Sequence, residues 1–363
     1  MDKHKSVRRG GRTMGRKLTA VLLGCLLFCT GCHNGLWYHQ TALPALTADT
    51  PAAGCNAIPI EDAPLSTVTM SFVGDVMLAS EHSLGNYGTF NGFAVNTEPA
   101  YYFSRMQEIF AADDWTVANG ENVFTDEVKE MAVKDYTPAY WYRSETSNAQ
   151  IYREGSVEIV SMANNHALDF GWVGYTDTIT ALENAGVTPI GEKEWVILEK
   201  DSFRIGLLCC SLYSNYYLTG ILEWLESAVT ETDFQIVYFH GGTERVHEPE
   251  DWKIAACRAM VDAGADLVLG NHPHVLQPRE IYNGAEIIYS LGNFLFGGSR
   301  NCENATMVYR LTLELTDGEI TKRTSEIIPC YCYEELWQPC PMEDPEDRQA
   351  VLDFMDGKRE LPY

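Results

Sequence analysis

The sequence predicts a layered α/β fold, and three observations carry that prediction. Between Val68 and Leu269, short apolar runs alternate with segments of helical length, the pattern of strands joined by crossover helices. After Ile281 the pattern changes to alternating runs broken by Asn283-Gly284 and Asp317-Gly318, both hairpin turn signals, so antiparallel strands are added and the sheets are mixed. Polar residues then recur immediately after the apolar runs, where an open α/β sheet gathers its ligands.

In chain order, the strand-like runs are Val68–Val73, Trp115–Ala118, Val157–Met162, Phe203–Leu208, Gln235–Phe239 and Asp266–Leu269. Helices are expected over Tyr101–Ala111, Trp172–Ala185 and Asp251–Ala263. In the last of these Ile254, Ala255, Cys257, Ala259, Met260 and Val261 recur at roughly helical spacing. A final helix is expected over Pro345–Met355.

The ends read differently. Lys3, Lys5, Arg8, Arg9, Arg12, Arg16 and Lys17 face only Asp2 in the first 17 residues, and Leu18 to Thr30 is an uncharged apolar run. A basic head followed by such a run describes an export signal. The run is short for a membrane span, which needs about 20 apolar residues. Thr30-Gly31-Cys32 resembles a bacterial lipoprotein processing site with Cys32 as the lipidated residue. Cys29 stands three before it, and Leu22-Leu23-Gly24-Cys25 fits the same pattern locally. A cleaved signal, a lipoprotein and an uncleaved anchor are the three alternatives; each places the protein outside the cytoplasm, and the last two hold it at the cell membrane. The expected organisation is a leader over residues 1–32, a Pro-, Ala- and Thr-rich linker over 33–66, the main domain over 67–330, and a C-terminal extension with a short helix over 331–363.

The chain carries a formal charge of −25, and without the basic head it is more acidic still. Such a surface excludes nucleic acid, which is held by Lys and Arg at phosphates. An anionic substrate must therefore be held by local cations or a metal. The 11 cysteines include no pair of C-x-x-C motifs, so a structural zinc ribbon is not indicated, while Cys302, Cys330, Cys332 and Cys340 could form disulfides in an exported chain.

Five apolar runs end in polar residues. They deliver Asp75, Asn119 with Glu121 and Asn122, Asn164 through Asp169, His240 with Glu244, and Asn271-His272-Pro273-His274 to one crevice. Carboxylates mixed with imidazoles and no thiol suit a borderline divalent ion such as Zn, Mn or Fe. A lone Asp after a strand is more often a cap, and a lone His a hydrogen-bonded surface group. Five such placements at consecutive strand ends argue for a site.

At these residues the chain resembles the bacterial capsule synthesis family associated with poly-γ-glutamate, the CapA family. The likeness runs through SFVGDVML (Ser71 to Leu78), NGENVFT (Asn119 to Thr125), SMANNHALDFG (Ser161 to Gly171), TALENAGV (Thr180 to Val187), HGGTE (His240 to Glu244), DAGADLVLGNHPHVLQP (Asp262 to Pro278) and IIYSLGNFLF (Ile287 to Phe296). The resemblance implies a layered α/β sandwich of the metallo-dependent phosphatase, or calcineurin-like, type, with mixed sheets and helices outside. It also implies a site for two metals. Asp75 would bind one metal, Glu121 would bridge, and Asn165, His240, His272 and His274 would complete the set. His166 would be the acid or a substrate contact, and Asp169 is a further catalytic candidate. Asn122, Glu244, Asn271 and Asn293 are the candidates for substrate contacts.

The chain departs from the phosphoesterase pattern at three points. Met77 stands where the first histidine would be, Glu121 replaces the usual bridging Asp, and Gly241 follows His240 where the capsule family commonly has Trp. The first departure predicts one firmly held ion and a weaker second position. Two functions compete. One is a metal-dependent hydrolase acting on a phosphoester, a γ-glutamyl polymer or peptidoglycan-like material. The other is a non-catalytic accessory factor that binds or anchors an anionic polymer within a membrane polymer-synthesis complex.

Overall fold

Alternation along the strands decides the architecture. In Phe203–Ser211, Leu207 and Cys209 point to one face while Leu208 and Cys210 point to the other. In Phe234–His240, Ile236 and Tyr238 alternate with Val237 and Phe239. Both faces of these strands are apolar, so both must be covered. The computed structural model describes residues 5–10, 66–299 and 303–361. The leader, Cys32 and the linker up to residue 65 lie outside the described residues, apart from 5–10.

Two sheets pack face to face. One runs in the order Lys5–Arg9, Glu194–Lys200, Phe203–Ser211, Phe234–His240, Leu267–Asn271, Ala285–Leu291, Leu276–Tyr282. The other runs Gln338–Pro341, Glu319–Glu335, Ala305–Thr316, Ser66–Met77, Trp115–Gly120, Ile159–Ser161, Thr188–Ile190, with Asn293–Phe296 also paired to Ser66–Met77. Between them lie Met70, Phe72, Val117, Ile159, Leu207, Ile236, Tyr238, Leu269 and Leu311. Helix Gly171–Ala185 covers the outer face of the second sheet through Ala181, Leu182 and Ala185. Helices Asn215–Glu231 and Asp251–Asp262 cover the outer face of the first. At about 1.5–3 kcal/mol for each large side chain buried, these three apolar layers are the main stabilisation. The expected sandwich, with mixed sheets and helices outside, is the observed fold.

The central strands of each sheet are parallel, so their C-terminal ends point the same way. The chain passes from one sheet to the other at Gly292, between Ala285–Leu291 and Asn293–Phe296. There Asp75 N donates to Gly292 O at 2.9 Å. A Cβ on Gly74 would lie 1.8 Å from that same oxygen, so only glycine permits the approach. The hairpins form as the turn signals require: φ is +48° and +87° at Asn283-Gly284, and +53° and +82° at Asp317-Gly318.

Three expectations are corrected and one helix is added. Tyr101–Ala111 is not one helix but a 3-10 turn, Pro99–Tyr101, and a single turn, Gln107–Phe110. Tyr102, Phe103, Met106 and Phe110 are all buried, a spacing one helical stripe would also give, but the chain between the two turns closes through i to i+3 bonds, Ser104 N to Tyr101 O and Met106 N to Phe103 O, rather than an α-helical ladder. Asn215–Glu231 is a helix that went unread although Ile221, Trp224, Leu225 and Ala228 mark its buried face. Lys5–Arg9 does not stand apart from the domain. It adds an antiparallel edge strand to Glu194–Lys200, where its basic side chains meet Glu199, Glu183 and Glu194. Finally, the strand Glu319–Glu335 runs through residue 330, and helix Pro345–Met355 places Val351, Phe354 and Met355 in the layer between the sheets. Residues 331–361 are therefore part of the sandwich. Among the described residues no helix is long and apolar enough to cross a membrane. Cys330 is a buried thiol, and Cys302 lies outside the described residues.

Candidate metal centre

The C-terminal strand ends of both sheets meet at one cluster. Asp75 ends Ser66–Met77, Glu121 follows Trp115–Gly120, His240 ends Phe234–His240, and His272 and His274 follow Leu267–Asn271. The backbone is set there for ligands rather than for regular structure, since His272 and His274 have φ of +96° and +59°. Donor atoms of Asp75, Glu121 and His240, and those of Glu121, His272 and His274, form two groups that share Glu121. Within each group the atoms lie within 4.8 Å of one another. These groups could each hold a metal ion.

The hydrogen bonds show which atoms are already committed. Asp75 Oδ1 accepts from Asn119 Nδ2 at 2.8 Å, and Oδ2 accepts from His272 N at 3.1 Å. His240 Nε2 lies 2.9 Å from Asn165 Oδ1 and 3.0 Å from His272 Nδ1. His274 Nδ1 lies 2.9 Å from Asn293 Oδ1 and 3.2 Å from Asp75 Oδ2. Glu121 is different. It is fully buried, yet neither carboxylate oxygen has a hydrogen-bond partner, with His240 Nε2 at 3.4 Å and His274 Nδ1 at 3.9 Å. A buried carboxylate without hydrogen bonds is costly unless a cation meets it. The donor set therefore fits a divalent ion.

The electrostatics follow from this crowding. Burial alone would raise the Asp75 carboxyl, but hydrogen bonds and charge from His240 and His274 outweigh it and hold it well below the usual range. Burial lowers His240, and the charge of Glu121 with the Asp75 contact reverses this, raising it to about 9. His274 behaves alike and rises to about 10. His272 is pushed well below its ordinary value by burial and by its two charged neighbours, so it stays neutral.

His166 and Asp169 lie on the loop before helix Gly171–Ala185. His166 Nδ1 is 2.8 Å from Asp169 Oδ2, which also accepts from Tyr142 N at 2.8 Å. Lys134 Nζ sits 2.5 Å from Asp169 Oδ1. A cleft of about 410 Å³ is lined by His166, Met77, His274 and Asn293 together with Tyr140, Tyr142, Glu244 and Arg245.

Of the four residues read as substrate contacts, Glu244 and Asn293 line the cleft. Asn122 and Asn271 do not, because each is turned into the fold: Asn122 Oδ1 accepts from Leu78 N, and Asn271 Nδ2 donates to Phe239 O. Both are corrected to backbone-positioning roles. Asn119, expected at this crevice, bridges Asp75 and His240. Two neighbours were not expected: Tyr213 hydroxyl lies 3.3 Å from Asn165 Oδ1, and Lys134 neutralises Asp169. Lys134 sits in a segment with no periodicity, which leaves no sign of its place in the sequence.

A family of bacterial capsule synthesis proteins, PGA_cap, matches residues 69–298. The chain is 29% identical over 268 residues to the PGA biosynthesis protein CapA of Bacillus subtilis, covering 67% of this chain and 68% of that one. It is 28% identical over 283 residues to the capsule biosynthesis protein CapA of Bacillus anthracis, covering 70% and 66%. A probable polyglutamine synthesis accessory protein of Mycobacterium tuberculosis is 25% identical over 188 residues, covering 42% and 48%.

Proposed function

Because the chain belongs to the bacterial capsule synthesis protein family, we propose that it serves capsule or poly-γ-glutamate biosynthesis as a metal-dependent hydrolase, exported and held at the membrane by its N-terminal segment. The observation that carries the hydrolase reading is Glu121, whose two buried oxygens lack hydrogen bonds where His240, His272 and Asn165 converge. Asp75, Glu121, Asn165, His240, His272 and His274 would hold a Zn, Mn or Fe ion. Bound there, the ion would polarise the scissile group and make water a nucleophile near neutral pH.

The chain's own residues supply the rest. His166 faces the cleft and donates a proton to the leaving group. Asp169 orients its ring through Nδ1, and Lys134 balances the Asp169 charge. Met77, Phe296 and Tyr142 form the apolar wall that limits water. The substrate is a phosphoester or a γ-glutamyl bond in an anionic polymer.

The test is metal content after dialysis, with turnover of bis(p-nitrophenyl) phosphate and of γ-glutamyl-p-nitroanilide by the loaded protein. Turnover of either that disappears in His166→Ala supports the reading. Tight metal binding with no turnover of either favours the second one, an accessory factor that binds polymer during export, which the printed name of the mycobacterial relative supports. Export and anchoring rest on the basic residues before Leu18–Thr30 and on Cys32. Loss of lipid labelling and of membrane fractionation in Cys32→Ser would support the lipoprotein form.

A further inference from the structure

We infer that Arg245 is the anion-binding residue of the cleft, holding a substrate oxyanion, carboxylate or phosphate, beside the His272–His274 segment. This deepens the hydrolase reading and rests on it for the identity of the cleft.

The first support is charge. The chain carries −25, and a divalent ion at the centre would do no more than cancel Asp75 and Glu121. Glu244 and Glu303 add two more acids to the cleft wall. An anion entering such a cleft needs a further cation. Lys134 is committed to Asp169 and to Tyr140 O. Arg245 lines the cleft, and among the described residues no acid partner accepts its guanidinium, whereas Arg258, Arg279 and Arg310 are each bound to a carboxylate.

The second support is rigidity. Arg245 is a non-glycine residue with φ of +59°, held there because its N–H donates to Pro273 O at 2.8 Å. Pro273 lies between the two histidines, so the arginine backbone is tied directly to the metal-ligand segment. The start of the same loop is fixed by Gly241 N donating to Asn271 O at 3.0 Å. A left-handed conformation in a non-glycine residue is strained, and its location at this wall is where such strain is commonly kept. Guanidinium offers a planar fork that fits carboxylate and phosphate oxygens in pairs, which an ammonium does not.

The test uses the metal-loaded full chain and Arg245→Gln and Arg245→Lys. Calorimetry measures binding of inorganic phosphate and of γ-L-glutamyl-L-glutamate, and metal content is measured on every sample. In Arg245→Gln the affinity for at least one probe should fall about 10-fold or more, with metal content unchanged and part of the loss recovered in Arg245→Lys. The probe that the parent binds more tightly identifies the oxyanion as phosphate or carboxylate. Equal binding by parent and Arg245→Gln, no binding of either probe by the parent, or metal lost in Arg245→Gln would each overturn the assignment. Arginine-dependent binding without turnover of any ester or γ-glutamyl amide would leave the assignment standing and remove the hydrolase reading.

Discussion

His240 Nε2 and His272 Nδ1 face each other at 3.0 Å, with Asn165 Oδ1 2.9 Å from the same Nε2. One imidazole is driven towards its charged form and the other is held neutral, although they touch. The group of Asp75, Glu121 and His240, with Asn165 Oδ1 beside it, is the better furnished of the two positions. The other has His272, His274 and the shared Glu121, and Met77 lines the cleft together with His274. A thioether is a soft, uncharged donor, poorly matched to Mn, Fe or Zn in an oxygen- and nitrogen-rich site. We expect about one metal equivalent after dialysis of the parent, and a rise towards two in Met77→His, with second-site affinity gaining about 10-fold or more. Elemental analysis of both proteins decides this, and two equivalents in the parent with no change in the variant would rule it out.

His166 Nδ1 and Asp169 Oδ2 are 2.8 Å apart, and neither residue is among the proposed metal ligands. Asp169→Asn keeps an oxygen acceptor for Tyr142 N but removes the charge that orients His166. On the proposed hydrolase reading, kcat should fall on the order of 100-fold in His166→Ala and by a smaller factor in Asp169→Asn. KM and metal content should move little. A large loss of metal in either variant would show that the pair is structural support for the centre.

Gly74 tests the join between the sheets. In Gly74→Ala the new methyl meets the Gly292 carbonyl at 1.8 Å, a backbone atom that cannot turn away. The strand must shift, and with it Asp75, whose N–H is bonded to that carbonyl. We expect destabilisation above about 2 kcal/mol together with weakened metal binding, from strain at a special backbone site. Denaturant unfolding and metal titration of the same variant check both halves. Parent-like stability would mean that the sheets can part there at little cost.

What could be read from the chain divides along physical lines. The buried parallel strands were legible because both faces are apolar, and the helix Pro345–Met355 was legible because Asp344 caps it and Pro345 opens it. The convergence of Asp75, Glu121, Asn165, His240, His272 and His274 was legible from position alone, since each lies at the end of a strand or in the loop after it. The direction of individual amides was not. Asn122 and Asn271 follow strands just as the ligands do, yet local backbone donors and acceptors capture them. Contacts made across long sequence separations, such as Lys134 to Asp169 or Lys5 to Asp114, leave no local periodic mark.

Glu158 gives the chain a pH dependence away from the centre. It sits just before the strand Ile159–Ser161, mostly buried, with Oε2 accepting from Thr116 N at 2.8 Å. Burial raises its carboxyl from the ordinary 4.5 to about 7, against the opposing effects of that hydrogen bond and of Lys5 and Arg153. A folded-state pKa above the unfolded one means that the stability contribution is complete below about pH 4.5 and is lost as pH rises through about 7. Glu158→Gln keeps an acceptor for Thr116 and cannot ionise. The two proteins should therefore be alike at pH 4.5. At pH 8 the variant should be more stable by about 1–2 kcal/mol, allowing for the part of the side chain open to water, which is a Tm gain of about 3 °C. Thermal melts of both proteins across this range measure the difference directly. A gap that is constant with pH, or one that widens towards acid, would show that Glu158 is charged in the folded protein throughout.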